Sequence, residues 1–191
     1  MGCGKKDHFK HENCVCEVVR AIKDIQDNAE ETCECPSNCF LEPLGAISPT
    51  NRRRNGAPDT RVIVLKSADG KPFHAFMTSN GNMQQPGKDK KNQSCVSIFF
   101  RVEEVFDNCC AVLRVLEPIE MEGKDKENQQ NQNQMMMQKV KPVNLVKDGM
   151  IDLNAVCNVD FFRSTNDCIT VDLSCFCAVQ CIADVNLDVC D

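Results

Sequence analysis

The residues able to do chemistry in this chain are its cysteines, 15 of them in 191 residues. Most come in short groups. Cys14 and Cys16 form a C-x-C pair. Cys33, Cys35 and Cys39 form a C-x-C-x3-C group, and Cys175, Cys177 and Cys181 repeat that spacing in the stretch TVDLSCFCAVQC. Cys109 and Cys110 are adjacent, while Cys3, Cys95, Cys157, Cys168 and Cys190 stand singly. Thiols so grouped can hold a metal, act as nucleophiles, or form disulfides within or between chains.

Structural zinc calls for thiolate pairs, usually C-x2-4-C repeated, so that four ligands converge at about 2.3 Å. The pairs here are C-x-C, which bite more narrowly, so a zinc-stabilised scaffold or anchor is the second reading and no residue is assigned as a metal ligand. His8, His11 and Cys14 sit in a polar arm, where chelation is not expected. Catalysis is weaker still. A cysteine nucleophile needs a histidine beside it, and only His74 lies in the part expected to fold. His74 sits between Phe73 and Phe76 and reads as a half-buried strand residue. C-x-x-C, G-x-S-x-G, the P-loop and G-x-G-x-x-G are all missing. No enzyme, catalytic residue or cofactor is expected.

That leaves disulfides. The count is odd, so complete oxidation within one chain is impossible and at least one thiol stays free or bonds to another molecule. Cys109 and Cys110 cannot both face the same way on a strand, because side chains alternate. One should face the core and the other outward. Cys175, Cys177 and Cys181 lie too close together to pair only with one another. Cys175 and Cys177, two apart on an expected strand, should share a face.

The elements that must position these cysteines are mostly strands. Residues 1–13 are polar and read as a flexible arm. From Cys14 to Glu31, apolar Val15, Val18, Val19, Ile22 and Ile25 form one helical stripe, with Asn13 as N-cap and Glu17 in the first turn. Cys14 lies at the positive end of that helix, which favours its oxidation. Pro36 then breaks the pattern, and 43–60 look irregular. Arg61–Lys66 and Pro72–Met77 flank Asp69-Gly70 and predict a hairpin. Cys95–Phe106 reads as one long strand, with Val96, Ile98, Phe100 and Val102 on one face. Cys109–Glu117 should pair with it antiparallel across the Asp107-Asn108 turn. Residues 122–139 are a Gln/Asn-rich, low-complexity loop. Weaker strand signals lie near 142–146, 150–157 and 159–162. Cys168–Cys177 is the last strong strand, with Ile169, Val171, Leu173 and Cys175 on one face. The sum is mainly β, an antiparallel β-sandwich or barrel-like single domain (14–191) with an N-terminal amphipathic helix. No βαβ rhythm is present.

Composition narrows the class further. The chain is long enough to fold without staples, so its cysteines serve something beyond a minimal fold. The net charge of −6 gives no footprint for nucleic acid. Arg52-Arg53-Arg54 reads as a solvated loop face. There is no Trp and no Tyr, so the polar-tipped aromatic anchors of ligand pockets are missing. No run of about 18 apolar residues exists, and no membrane insertion is expected. The first residues, MGCGKKDHFKHENC, lack the apolar core of a secretory signal. The cysteine content of an extracellular protein therefore sits in a chain with no classical export address.

VDLSCFCAVQC (171–181), SIFFRVEEV (97–105), CCAVLRVL (109–116) and HENCVCEVV (11–19) resemble the cysteine-rich spore coat and exosporium proteins of the CotY/CotZ/ExsY group in Bacillus and its relatives. The resemblance covers both ends and the middle strands, and the Gln/Asn/Met-rich insertion at 124–139 departs from it. It implies a structural protein, made in the mother cell without a signal peptide. Such a protein assembles with itself and with other coat or exosporium proteins into ordered sheets on the spore, which disulfides then harden. Cys14 and Cys16 match the family's N-terminal pair, Cys109 and Cys110 its middle pair, and Cys175, Cys177 and Cys181 its C-terminal cluster. Cys3, Cys14, Cys16, Cys33, Cys35, Cys39 and Cys190 are the candidates for bonds between molecules, because they fall in arms, loops or tails. Cys95, Cys157 and Cys168 are expected to be internal. The C-terminal cluster is open to either role.

Overall fold

A computed structural model describes residues 14–27, 44, 57–78, 96–121 and 140–187. Helix α1 (Cys14–Asp27) comes first. Ten strands follow: β1 (Thr60–Ser67), β2 (Ala75–Phe76), β3 (Val96–Ser97), β4 (Phe100–Val105), β5 (Cys110–Met121), β6 (Val140–Pro142), β7 (Val146–Lys147), β8 (Met150–Ile151), β9 (Phe161–Asp172) and β10 (Phe176–Val185). A short helix α2 (Leu153–Val156) separates β8 from β9, and a 3-10 turn over Leu173–Cys175 separates β9 from β10.

Six strands make one antiparallel sheet that curls into a half-barrel. Its order is β10-β1-β4-β5-β6, with β9 also paired to β5. Strand β5 is the spine. It pairs with β4 and then β6 along one edge and with β9 along the other. Both faces of the sheet are covered, which is why β1 is buried along nearly its whole length. Ile63, Leu65, Phe100, Val102, Leu113 and Val115 pack against Val15, Cys16, Val19 and Ile22 of α1. Val62, Val64, Phe99 and Leu116 pack on the other face against Val143 and Leu145, with Ile151 and Val156 beside them.

The helical stripe therefore does what its spacing predicts, and the β4–β5 hairpin forms across Asp107-Asn108. Four elements differ from the sequence expectation. The segment after the Asp69-Gly70 turn bridges β1 briefly, with Lys66 opposite Pro72 and the Phe73 N–H donating to the Leu65 carbonyl at 2.8 Å, then leaves to pair Ala75 and Phe76 with β3. The expected Cys95–Phe106 strand breaks at Ile98-Phe99. Both of those side chains pack on the face away from α1, which strict alternation forbids. Leu153–Val156 is helical, because the Asp152 carboxylate accepts from the Asn154 N–H and caps a turn there. The last strand is two strands, split where the Asp172 carboxylate accepts the Ser174 N–H at 2.9 Å. The N-cap position Asn13, residues 28–31 and the loop at 122–139 lie outside the described residues.

One buried polar side chain completes the sheet. Strands β1 and β4 meet in register only at Ile63 and Phe100. Two residues on, Arg61 and Val102 are the next antiparallel partners, and Gln26 of α1 takes the place of their missing ladder bond. Its Oε1 accepts from the Arg61 N–H at 3.1 Å, and its Nε2 donates to the Val102 carbonyl at 2.8 Å. Gln26 is 4% exposed. Gln26→Leu keeps the volume and orphans both backbone groups, so it should cost about 2–3 kcal/mol in a urea titration. A loss below about 0.5 kcal/mol would mean that the two strands close up without it.

Candidate cross-linking cysteines

Helix α1 and the β4–β5 turn are joined covalently. Cys16 is wholly buried and forms a disulfide with Cys109, with a Cα–Cα distance of 5.6 Å. Local structure explains why these two meet. Cys16 lies on the apolar stripe of α1, so helix packing carries it to the sheet. Cys109 sits in the turn with φ of 63°, a left-handed conformation that sets it off the alternation of β5. The turn is held by Cys109 N–H to Phe106 C=O at 3.0 Å and Phe106 N–H to Cys110 C=O at 2.8 Å. Arg20, one turn along α1 from Cys16, donates to the Phe106 carbonyl at 3.1 Å and the Asp107 carbonyl at 2.9 Å. The Leu173 N–H donates to the Cys109 carbonyl at 3.0 Å. The start of α1, the β4–β5 turn and the β9–β10 turn thus gather at one pole of the half-barrel.

This corrects the expectation for Cys16. It was placed among the cysteines able to reach a neighbour, but its side chain is consumed inside the subunit. The spacing C-x-C on a helix separates the two thiols, because residues two apart do not share a helix face. Cys16 points inward while Cys14 is exposed and free. The other half of the middle pair, Cys110, is half-buried and free. Ala111 faces α1, so alternation turns Cys110 to the opposite side.

Cys175 and Cys177 do not share a strand face, and that expectation is corrected too. Cys175 lies in the 3-10 turn rather than on a strand. Cys177 occupies a β-bulge. Phe176 pairs with Ser67 and Ala178 with Lys66, leaving Cys177 with no residue opposite. It is exposed, and its Sγ donates to the Ser67 carbonyl at 3.0 Å. Cys181 stands opposite Ile63 and packs against the core beneath α1.

Cys157 and Cys168, expected inside, are both exposed and free. Cys157 follows the one-turn helix α2, none of whose residues is buried. Cys168 lies on β9 directly opposite Arg114. The Glu103 carboxylate, on a bulge of β4, accepts from Arg114 and raises its pKa above the ordinary value. Cys3, Cys33, Cys35, Cys39, Cys95 and Cys190 lie outside the described residues.

Among the described residues no three Cys, His, Asp or Glu side chains converge as a metal site. With Cys16 bonded and Cys14 turned away from it, the first C-x-C pair offers no bidentate grip. Cys14, Cys110, Cys157, Cys168 and Cys177 are free and at least partly accessible. No helix among the described residues is long and apolar enough to cross a membrane.

Comparison with known proteins agrees with a structural role. Spore coat protein Z of Bacillus subtilis (strain 168) is 30% identical over 174 residues, spanning 91% of this chain and 90% of the relative. No solved structure matches the chain. A family model described as Spore coat protein Z matches residues 1–184, both cysteine-rich ends and the sheet between them, so the chain belongs to the Spore coat protein Z family.

Proposed function

We propose that the chain is a self-assembling subunit of the spore coat or exosporium, forming an ordered shell lattice that disulfides between subunits then harden. The observation that carries this reading is the mismatch, among the described residues, between one internal disulfide and five free, accessible cysteines. A fold that used its cysteines only for its own stability would not leave Cys14, Cys110, Cys157, Cys168 and Cys177 unbonded and within reach of solvent. They lie on α1, at the start of β5, just after α2, and on β9 and β10, so links can run in more than one direction, as a two-dimensional array requires. Family membership supports a structural coat role. Other coat proteins are natural partners, and no enzymatic activity is needed. Of the cysteines expected to bond between molecules, Cys3, Cys14, Cys33, Cys35, Cys39 and Cys190 stay in the proposal, and Cys16 leaves it.

Negative-stain electron microscopy of the purified recombinant chain, with and without reductant, tests this reading. Sheets, rings or tubes are expected in both conditions, because non-covalent contacts set the lattice. Only the oxidised form should survive boiling in detergent. Dispersed single particles in both conditions would overturn self-assembly.

A further inference from the structure

Besides Cys175 in the β9–β10 turn, the pole holding the Cys16–Cys109 bond carries Cys14 and Cys110, and both are free. Cys14 is exposed on the outer side of α1, and Cys110 is turned to the face of the sheet away from α1. The internal disulfide lies between them. Two of the exchanges within the subunit are disfavoured by geometry. Cys14 attacking Cys16 would need a disulfide between residues two apart on a helix. Cys110 attacking Cys109 would need one between neighbours in the chain. Neighbouring residues are only about 3.8 Å apart at Cα, below the range of an unstrained disulfide, and residues two apart on a helix point their Cβ atoms to different faces. Among the described residues the two thiols have no bond within the subunit, so both are open to another molecule.

Two other features mark the pole as a contact. Phe106, in the turn beside Cys110, is 40% exposed. The charges are complementary. Cys14 stands at the positive end of the α1 dipole. Cys110 has Asp172 directly opposite it in register, and Asp107 lies three residues before it in the same turn. If two copies met with like thiols facing, two helix N-termini would meet and the Asp172 carboxylates would crowd each other. A two-fold contact that sets each helix N-terminus on the acidic side of the other copy avoids both.

We propose that this pole is the binding surface for a second copy of the chain, closed by two reciprocal disulfides, each from Cys14 of one copy to Cys110 of the other. The inference rests on the shell reading above and names one of its links. Each link forms in two exchange steps. The Cys14 thiol gives up its proton and attacks a low-molecular-weight disulfide, releasing one small thiol. The partner's Cys110, as thiolate, then attacks the mixed disulfide at the Cys14 sulfur and releases the second small thiol. One disulfide is made, one is reduced, and two protons pass to the released thiols. The Cys16–Cys109 bond takes no part.

The test mixes equal amounts of unlabelled and 15N-labelled full-length chain, oxidised with glutathione disulfide and digested with trypsin without reduction. Cys14 and Cys16 fall in peptide 11–20, and Cys109 and Cys110 in peptide 102–114. The internal bond joins these peptides with matching labels, and a link between copies joins them with mixed labels. Mixed-label product is expected from the wild type. It should disappear from Cys14→Ser alone and from Cys110→Ser alone. Combining labelled Cys14→Ser with unlabelled Cys110→Ser should restore it, with one link in place of two. Mixed-label product persisting in Cys110→Ser would show Cys14 bonding to itself and overturn the reciprocal contact. Its absence from the wild type would overturn the pole altogether, while ordered arrays under the microscope would leave the shell reading standing. Serine at these two partly exposed positions leaves the core untouched, and the intact same-label pair in each variant reports that the subunit has folded.

Discussion

Asp184→Asn should be among the most destabilising single substitutions in the chain, costing about 3–5 kcal/mol in chemical denaturation. Asp184 on β10 stands opposite Arg61 on β1, and both side chains are 0% exposed. The carboxylate grips the guanidinium in two places. Arg61 Nε donates to one oxygen at 2.8 Å and Nη2 to the other at 3.0 Å. A pair this deep repays its desolvation only through such two-point geometry, and the amide removes the negative charge that Asp184 sets against the buried guanidinium. The cost measures an orphaned charge rather than the worth of the pair. A second variant separates the two. Arg61→Met with Asp184→Leu removes both charges and keeps apolar volume, and should recover most of the stability lost by Asp184→Asn. A double variant as unstable as the single one would show that the pair itself is what β10 needs to dock on β1.

Much of this architecture is legible in the sequence, and the misses share a physical origin. Period alone predicts α1, because Val15, Val19 and Ile22 recur at helical spacing and all three are buried. It also predicts the inward face of β9, where Ile169 and Val171 pack toward α1 beside Leu173 of the following turn. Alternation then fails wherever the backbone leaves the pleat. Cys177 sits on a bulge, Ile98 and Phe99 turn the same way, and Cys175 falls in a 3-10 turn. The turn had a local signal in Asp172 and Ser174, as did α2 in Asp152 and Asn154, since a short polar side chain can cap a turn two residues on. Gln26 had none. A glutamine at the end of an amphipathic helix reads as surface until the sheet beneath is seen to lack a ladder bond. Nor could the partner of Cys16 be read. That pairing depends on a left-handed residue in a turn 93 positions away, and connectivity among many cysteines is not a property of spacing.

The Cys16–Cys109 bond should carry the other large effect. The two cysteines are 93 residues apart, and closing a loop of that length is worth about 4–5 kcal/mol by chain entropy, an upper figure for most real disulfides. Cys16→Ala should therefore lower the melting temperature of the unassembled subunit by roughly 10–15 °C under oxidising conditions, at about 2–4 °C per kcal/mol for a chain of this size. Reductant should bring the wild type down by a similar amount and leave the melting of Cys16→Ala nearly unchanged. If the variant fell further on reduction, a second internal disulfide would be carrying part of the load. The consequence for assembly lies in α1. The bond ties its first turn to the sheet, and Arg20 ties the next to the Phe106 and Asp107 carbonyls. Without the bond, amide hydrogens of α1 should exchange faster than those of β5, whose ladder has partners on both edges. Cys14 rides on that first turn, so loosening it blurs the placement of a thiol meant to meet a neighbour. In the proposed contact, closing the internal bond first would make the pole rigid before it links to a second copy.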